Sequence, residues 1–416
     1  MNVQNDRFAP GPGSRGDGPL DWLARRRPGH SLPGPLYTTQ AAYDHDLAAI
    51  FRREWVFACP AAALPETGDF ETLDIGPDSV IVLRDGDGGL RAHHNVCRHR
   101  GSRLCEGRGR AAKLTCPYHQ WVYDLDGGLI HAAHMGDDFR RDAHGLAPVH
   151  LREVAGLVFV CLADDPPDLD AYAEAVTPYL APHQPLRTKV AHRARIVEEA
   201  NWKLVIENNR ECYHCAGSHP ELLASLVEFA LPGDADGGAR FEALMAQKTA
   251  LWDAHGLPHA PVPRNDAYRC LRLPFEHGAI SMTLDGGPAC SMLLGDLVEP
   301  DLGSVRMFHA PNTWNHHLSD HILNFRILPL GPDRTELVTW WLVHEDAVEG
   351  RDYDVDRLTA VWTATNRQDG ALAERNHRGI LSSAYRPGPY AQTEFLTCDF
   401  VDWYVATASR AGAAVS

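Results

Sequence analysis

NVCRHRGSRLCEGRGRAAKLTCPYHQW, residues 95–121, is the stretch whose reading decides the fold. Its order is Cys97-x-His99, sixteen residues, then Cys116-x-x-His119. Thiolate and imidazole suit iron or zinc. A structural zinc site groups like ligands, as Cys-x-x-Cys followed by His-x-x-x-His. Here each loop supplies one Cys and one His. That suits a [2Fe–2S] cluster with two Cys on one iron and two neutral His on the other, the arrangement of a Rieske centre. Structural zinc is the competing reading. Gly101 and Gly107 let the first loop bend tightly. Cys105 is a fifth thiol, read as free, because Tyr118 stands in the second loop where a partner thiol would be needed.

Outward from these loops the pattern is β. SVIVLR (79–84), an Asp-Gly-Asp-Gly turn and LRAHHNVC (90–97) read as a hairpin. KLTCPYHQWVYDLDGGLI repeats the design with a turn at Asp126-Gly127, and GLVFVCL is a short apolar strand. AAYDHDLAAIFRREWVFAC (41–59) is expected to be an amphipathic helix before them, and the Pro-, Gly- and Arg-rich residues 1–36 a flexible or surface-wrapped arm. DDPPDLD reads as a linker. Beyond it helices and strands mix. Glu198–His214 and Asp354–His377 carry helical periodicity, SVRMFHA, HILNFRILPL and RTELVTWWLVHED are strand-like, and Pro232–Arg240 reads as a loop. The expected architecture is α+β: residues 37–164 as a β domain with an N-terminal helix, and residues 165–416 as a second, α+β domain.

Composition bounds the function. The chain has 416 residues, 44% hydrophobic and 23% charged, with a formal net charge of −16. Such acidity argues against a nucleic-acid or anionic-membrane role. No apolar run is long enough to span a bilayer, and no signal-peptide order opens the chain, so the cytoplasm is the expected location. The 23 His and 10 Cys point to metal chemistry before disulfides.

A second constellation lies in NWKLVIENNRECYHCAGSHPEL (201–222). Glu211 and His214 are at i,i+3, neighbours on a helix surface. His219 is five residues further on, rotated away on a straight helix, but Gly217 and Pro220 favour a bend that brings both imidazoles to one metal. Two His and one carboxylate describe a non-haem Fe(II) site. The third ligand is expected to be Asp369, which falls on the apolar face Leu358, Val361, Trp362, Thr365, Leu372, where a carboxylate is costly unless paired or metal-bound. Glu374 falls on the solvent side. Cys212 and Cys215 are read as small packing residues, with no thioredoxin-like pattern around them.

Together these motifs resemble the catalytic α subunits of Rieske non-haem iron oxygenases, from about Tyr37 to the C-terminus. The resemblance implies a Rieske domain feeding electrons to a helix-grip catalytic domain, in a homotrimer in which the cluster of one subunit serves the iron of the next. It implies that Cys97, His99, Cys116 and His119 hold the cluster and that His214, His219 and Asp369 hold Fe(II). Glu211 would bridge His119 of one subunit to His214 of its neighbour, a carboxylate orienting both rings. Asn208 is a further candidate catalytic residue. Glu at the bridge, where ring hydroxylases have Asp, and Gln120 after the second Rieske His are similar to the subgroup acting on quaternary amines, the glycine betaine monooxygenases and stachydrine demethylases.

The resemblance implies monooxygenation at an N-methyl group of a methylammonium substrate, giving formaldehyde and the demethylated amine. Trp340, Trp341, Tyr385 and Tyr390 are candidates for cation–π contact with it. Oxidation of an uncharged aromatic or aliphatic substrate is the alternative. A Rieske electron carrier or a zinc-binding protein is a third reading, opposed by the second His/His/Asp set. The chain carries no strand-to-helix GxGxxG for flavin or nicotinamide, so electrons are expected from a separate NAD(P)H-dependent flavin/iron–sulfur reductase, with O₂ as co-substrate.

Overall fold

A computed structural model describes residues 17–226, 237–263, 265, 267–276 and 278–410. Short alternating or wholly apolar runs punctuated by Gly form the first half. Asp69–Ile75, Asp78–Arg84, Leu90–His94 and Arg108–Arg110 make a four-stranded antiparallel sheet. Leu114–Thr115, Val122–Tyr123 and Leu129–His131 make a three-stranded one. Val56–Pro60 and Leu157–Cys161, buried at every position, pair with His150–Val154 in a third. Ile81, Leu83, Leu114, Trp121, Tyr123 and Leu125 form a small core under the two Cys/His loops.

The second half is built on a six-stranded antiparallel sheet in the order Thr188–Glu198, Thr335–His344, Ile322–Pro329, Thr313–His317, Ser304–His309, Tyr268–Leu273. One face packs on the helices Trp202–Asn209, Val355–Ile380 and Phe395–Arg410. Cross-strand partners share a face, so Trp314 and Phe325 lie on this helix side, where Phe325 meets Trp362. The opposite face meets the β domain. Arg193 Nη2 and Arg326 Nη1 reach Glu71 Oε1 at 3.0 and 3.7 Å and flank the Trp340 ring at 5.4 and 5.3 Å. The Asn312 side chain accepts from Phe57 N and donates to Phe57 O. The α+β class and the domain order are as the sequence indicated.

Several elements differ from expectation. The helix anticipated over 41–59 is Gln40–Asp46 with a wider turn Leu47–Phe51, after which Val56–Pro60 is a buried strand. The helix anticipated over Glu198–His214 spans only Trp202–Asn209. Glu198 ends the 188–198 strand, and Asn201 caps the helix by accepting from Lys203 N. Of the loop expected over Pro232–Arg240, residues 232–236 lie outside the described residues, and Gly237 opens a helix running to Ala254. Residues 17–36 pack closely on the body: Leu23, Leu32 and Leu36 are buried.

Candidate functional site

The two Cys/His loops sit side by side. Cys97 and Cys116 are buried, whereas His99 and His119 are exposed at the tips with ring centroids 4.5 Å apart. Positive φ at Gly101 (80°) and Gln120 (57°) closes the two turns. Tyr123 Oη lies 3.2 Å from Cys97 Sγ and accepts from Arg98 N at 3.0 Å. His99 stacks on Trp121 at 4.9 Å. Burial raises the Cys116 pKa, but the backbone N–H groups of Tyr118 and His119, with Cys97 and Ser102, outweigh it and lower the thiol overall. Two buried sulfurs with amides aimed at one of them, beside two outward imidazoles, fit a [2Fe–2S] cluster with its His-bound iron toward the surface. Cys105 is a free thiol. Tyr118 is 58% exposed and lies beside His119, with ring centroids 3.8 Å apart.

In the second half, the Trp202–Asn209 helix ends at Arg210, before Glu211. Glu211 and His214 therefore meet across a turn, not along a helix. Glu211 Oε1 contacts His214 Nδ1 at 2.5 Å, and its other oxygen accepts from Tyr213 N. A one-turn helix, Cys215–Ser218, separates His214 from His219, which leaves helical geometry at φ −128°, ψ 64°. The bend expected from Gly217 and Pro220 exists, with the helix break earlier than anticipated. Cys212 and Cys215 are joined by a disulfide that brackets His214. This corrects their reading as packing residues: across a turn their Cα atoms approach to 4.9 Å, within disulfide reach.

His214 Nε2 and His219 Nε2 are 3.0 Å apart, and Asp369 Oδ1 lies 3.3 and 2.9 Å from them. The residues expected as ligands thus converge on one point, although Asp369 comes from the long helix Val355–Ile380. His219 is 1% exposed and Asp369 25%. Burial opposes charging His214, but Asp369 and Glu211 outweigh it and raise its pKa to about 9. Carboxylates that stabilise an imidazolium also stabilise a divalent cation among the same lone pairs, so the donor set fits Fe(II). Cys215 Sγ is close to both imidazoles, but the disulfide removes it as a thiolate ligand.

Two residues escaped the sequence reading. Gln368 Oε1 accepts from His219 Nδ1 at 2.8 Å while its amide donates to Glu221 Oε2 at 2.8 Å, which fixes the ring with Nε2 toward the metal position. The only signal was its place beside Asp369. Glu198 is buried, with Oε2 lacking a partner among the described residues, and burial, with Asp369 and Glu374 adding to it, raises its carboxyl to about 8. Asn208 lines a cavity of about 430 Å³ together with Glu207, Glu211, His214, Tyr37 and Tyr390. In it Glu207 accepts from Tyr37 and Tyr390 hydroxyls at 2.7 and 2.9 Å. Of the aromatics considered for a cation, Tyr385 and Tyr390 line this cavity, while Trp340 and Trp341 are wholly buried and Trp340 already faces two arginines.

Residues 54–147 match the Rieske [2Fe-2S] domain, and residues 186–409 the ring hydroxylating alpha subunit (catalytic domain). The glycine betaine monooxygenase oxygenase subunit of Chromohalobacter salexigens is 49% identical over 391 residues, 93% of this chain and 88% of its own length. A quaternary ammonium Rieske monooxygenase superposes with a TM-score of 0.71 at 21% identity, covering 94% of this chain and 98% of its own. Naphthalene 1,2-dioxygenase from Rhodococcus sp. superposes with 0.70 at 20%, with the same coverage. The last pair shares the fold and does not separate substrates. Among the described residues no helix is long and apolar enough to cross a membrane.

Proposed function

The chain belongs to the ring-hydroxylating α-subunit family of Rieske non-haem iron oxygenases, and on that premise we propose that it oxidises an N-methyl group of a glycine-betaine-type methylammonium compound. The substrate reading is carried by the near half-identity to a glycine betaine monooxygenase oxygenase subunit along almost the whole chain. The net reaction consumes O₂, two electrons and two protons, places one oxygen on the methyl and releases the other as water. The N-hydroxymethyl product then collapses to formaldehyde and the demethylated amine.

Fe(II) held by His214, His219 and Asp369 would supply O₂ activation, and a [2Fe–2S] cluster held by Cys97, His99, Cys116 and His119 would supply electrons. The chain's own groups prepare that chemistry. Glu211 and Gln368 each hold one imidazole by its Nδ1–H, leaving Nε2 lone pairs pointed at one position. Glu211 lies in an open cavity, and among the described residues no hydrogen bond joins it to His99 or His119 of its own chain. The outward imidazoles and this carboxylate suit meeting across a subunit boundary in a homotrimer. A separate reductase would supply the electrons to the cluster.

The test is a product assay with O₂, a reductase and a panel of betaines and arenes. Stoichiometric formaldehyde from glycine betaine or stachydrine is expected. An arene diol, with no formaldehyde from any methylammonium compound, would overturn the substrate reading. Mixing Cys116→Ser and Asp369→Ala chains during refolding tests the subunit crossing. Hybrid oligomers are expected to regain turnover that neither variant has alone.

A further inference from the structure

Arg269 and Arg306, on neighbouring strands of the catalytic sheet, have no carboxylate partner among the described residues, and of the two Arg306 lies opposite His316. Arg193 and Arg326 are matched by Glu71, and Arg195 and Arg326 by Glu336. Arg272 donates to two backbone carbonyls. Arg306, on the strand Ser304–His309, donates through Nε to Ser304 Oγ at 3.3 Å, and its Nη2 is buried with no partner among the described residues. No carboxylate in the described residues pairs with it, and burial alone lowers its pKa to about 10. A guanidinium stays charged at neutral pH even so, and its planar fork matches a carboxylate.

Its position gives that vacancy a meaning. Arg306 pairs with His316 across the strands, so both lie on one face. The His316 ring is 4.9 Å from Trp362, and Trp362 is 4.7 Å from Phe325. Trp362 belongs to the helix that carries Asp369, seven residues or about 10 Å further along the axis. One helix-covered face thus presents the Arg306 guanidinium, then aromatic rings, then the carboxylate of the candidate iron site. A betaine has the complementary order: carboxylate, methylammonium, reacting methyl.

Resting on the betaine reading above, we propose that Arg306 receives the substrate's carboxylate, with Trp362 beside the methylammonium, and so selects betaines over methylammonium alcohols such as choline. Arg306 is then a specificity-determining residue and not a catalytic one.

The experiment compares glycine betaine with choline and with betaine amide on the reconstituted holoenzyme, by steady-state kinetics and by calorimetric binding. The wild type is expected to bind glycine betaine far more tightly than either uncharged-tail analogue. Arg306→Gln is expected to raise KM for glycine betaine by roughly 10- to 100-fold, the effect of losing one charged hydrogen-bonding partner, while binding of choline stays within about twofold. Arg306→Lys is expected to fall between. An unchanged Rieske absorption spectrum and melting temperature establish that each variant is folded. Equal wild-type affinity for glycine betaine and its amide overturns the proposal without any variant. Unchanged glycine betaine binding in folded Arg306→Gln overturns it while leaving the betaine reading intact. Failure of the wild type to bind any betaine overturns both.

Discussion

The two candidate metal sites of this chain are built in opposite ways. The Rieske loops gather their four residues from 23 consecutive positions, 97–119, on two tight turns with the imidazoles outward. The candidate mononuclear site joins His214 and His219, which flank the one-turn helix Cys215–Ser218, to Asp369, 155 positions after His214. In the first, local turn geometry makes the site. In the second, the packing of the long helix against the 202–219 segment makes it, with His214 lining the cavity and His219 buried.

The sharpest way to break this comparison is to remove one ligand from each. Cys116→Ser is expected to abolish the visible absorption of the cluster and all turnover. Asp369→Ala is expected to abolish turnover while the absorption remains, with iron falling from about three to about two per chain. Loss of both signals from the Asp369 variant would mean that the sites do not fold independently. Next in size, Glu211→Gln is expected to retain all iron yet lose roughly 10- to 100-fold in turnover, because an amide cannot hold the His214 ring as a carboxylate does. Gln368→Leu is expected to act on metal retention, weakening iron at the mononuclear site about tenfold in a chelator competition and leaving the cluster untouched.

The smallest effect concerns Glu198. Its folded pKa, about 8, is above the ordinary carboxylate value, so between pH 4.5 and 8 the folded chain holds a proton that the unfolded chain has released. Stability therefore falls as pH rises through that window and is unaffected by this group below it. Glu198→Gln is expected to flatten that slope and to stabilise the chain at pH 8 by on the order of 2 kcal/mol. Melting temperatures from pH 5 to 9 in both proteins check this. Parallel curves would show that Glu198 ionises freely.

The same contrast explains what the sequence made legible. Cys97, His99, Cys116 and His119 are readable because their spacing is itself the site. Asp369 was reachable because a carboxylate on an apolar helical face needs a partner. Glu198 and Gln368 were not, since their roles depend on which strand meets which helix. The strand Thr188–Glu198 mixes charged and apolar residues and leaves most side chains half-exposed at the sheet's edge, which hid it. Its continuation reads as helix because apolar spacing in NWKLVIENN extends smoothly backwards. The end of that helix, at Arg210, whose guanidinium lies 4.1 Å from the Phe308 ring, carries no Gly or Pro to mark it in the sequence.

Glu71 belongs to the β half, yet it neutralises Arg193 and Arg326 of the catalytic half, which in turn enclose Trp340. The seam between the halves is thus keyed by charge. Grafting a Rieske module from another oxygenase onto this catalytic half would strand the Arg193 guanidinium, Arg326 keeping Glu336, unless the graft brought an acid to the same spot. Recombination among such enzymes would therefore have to move Glu71 and Arg193 as one inherited unit, however freely the substrate face diversifies.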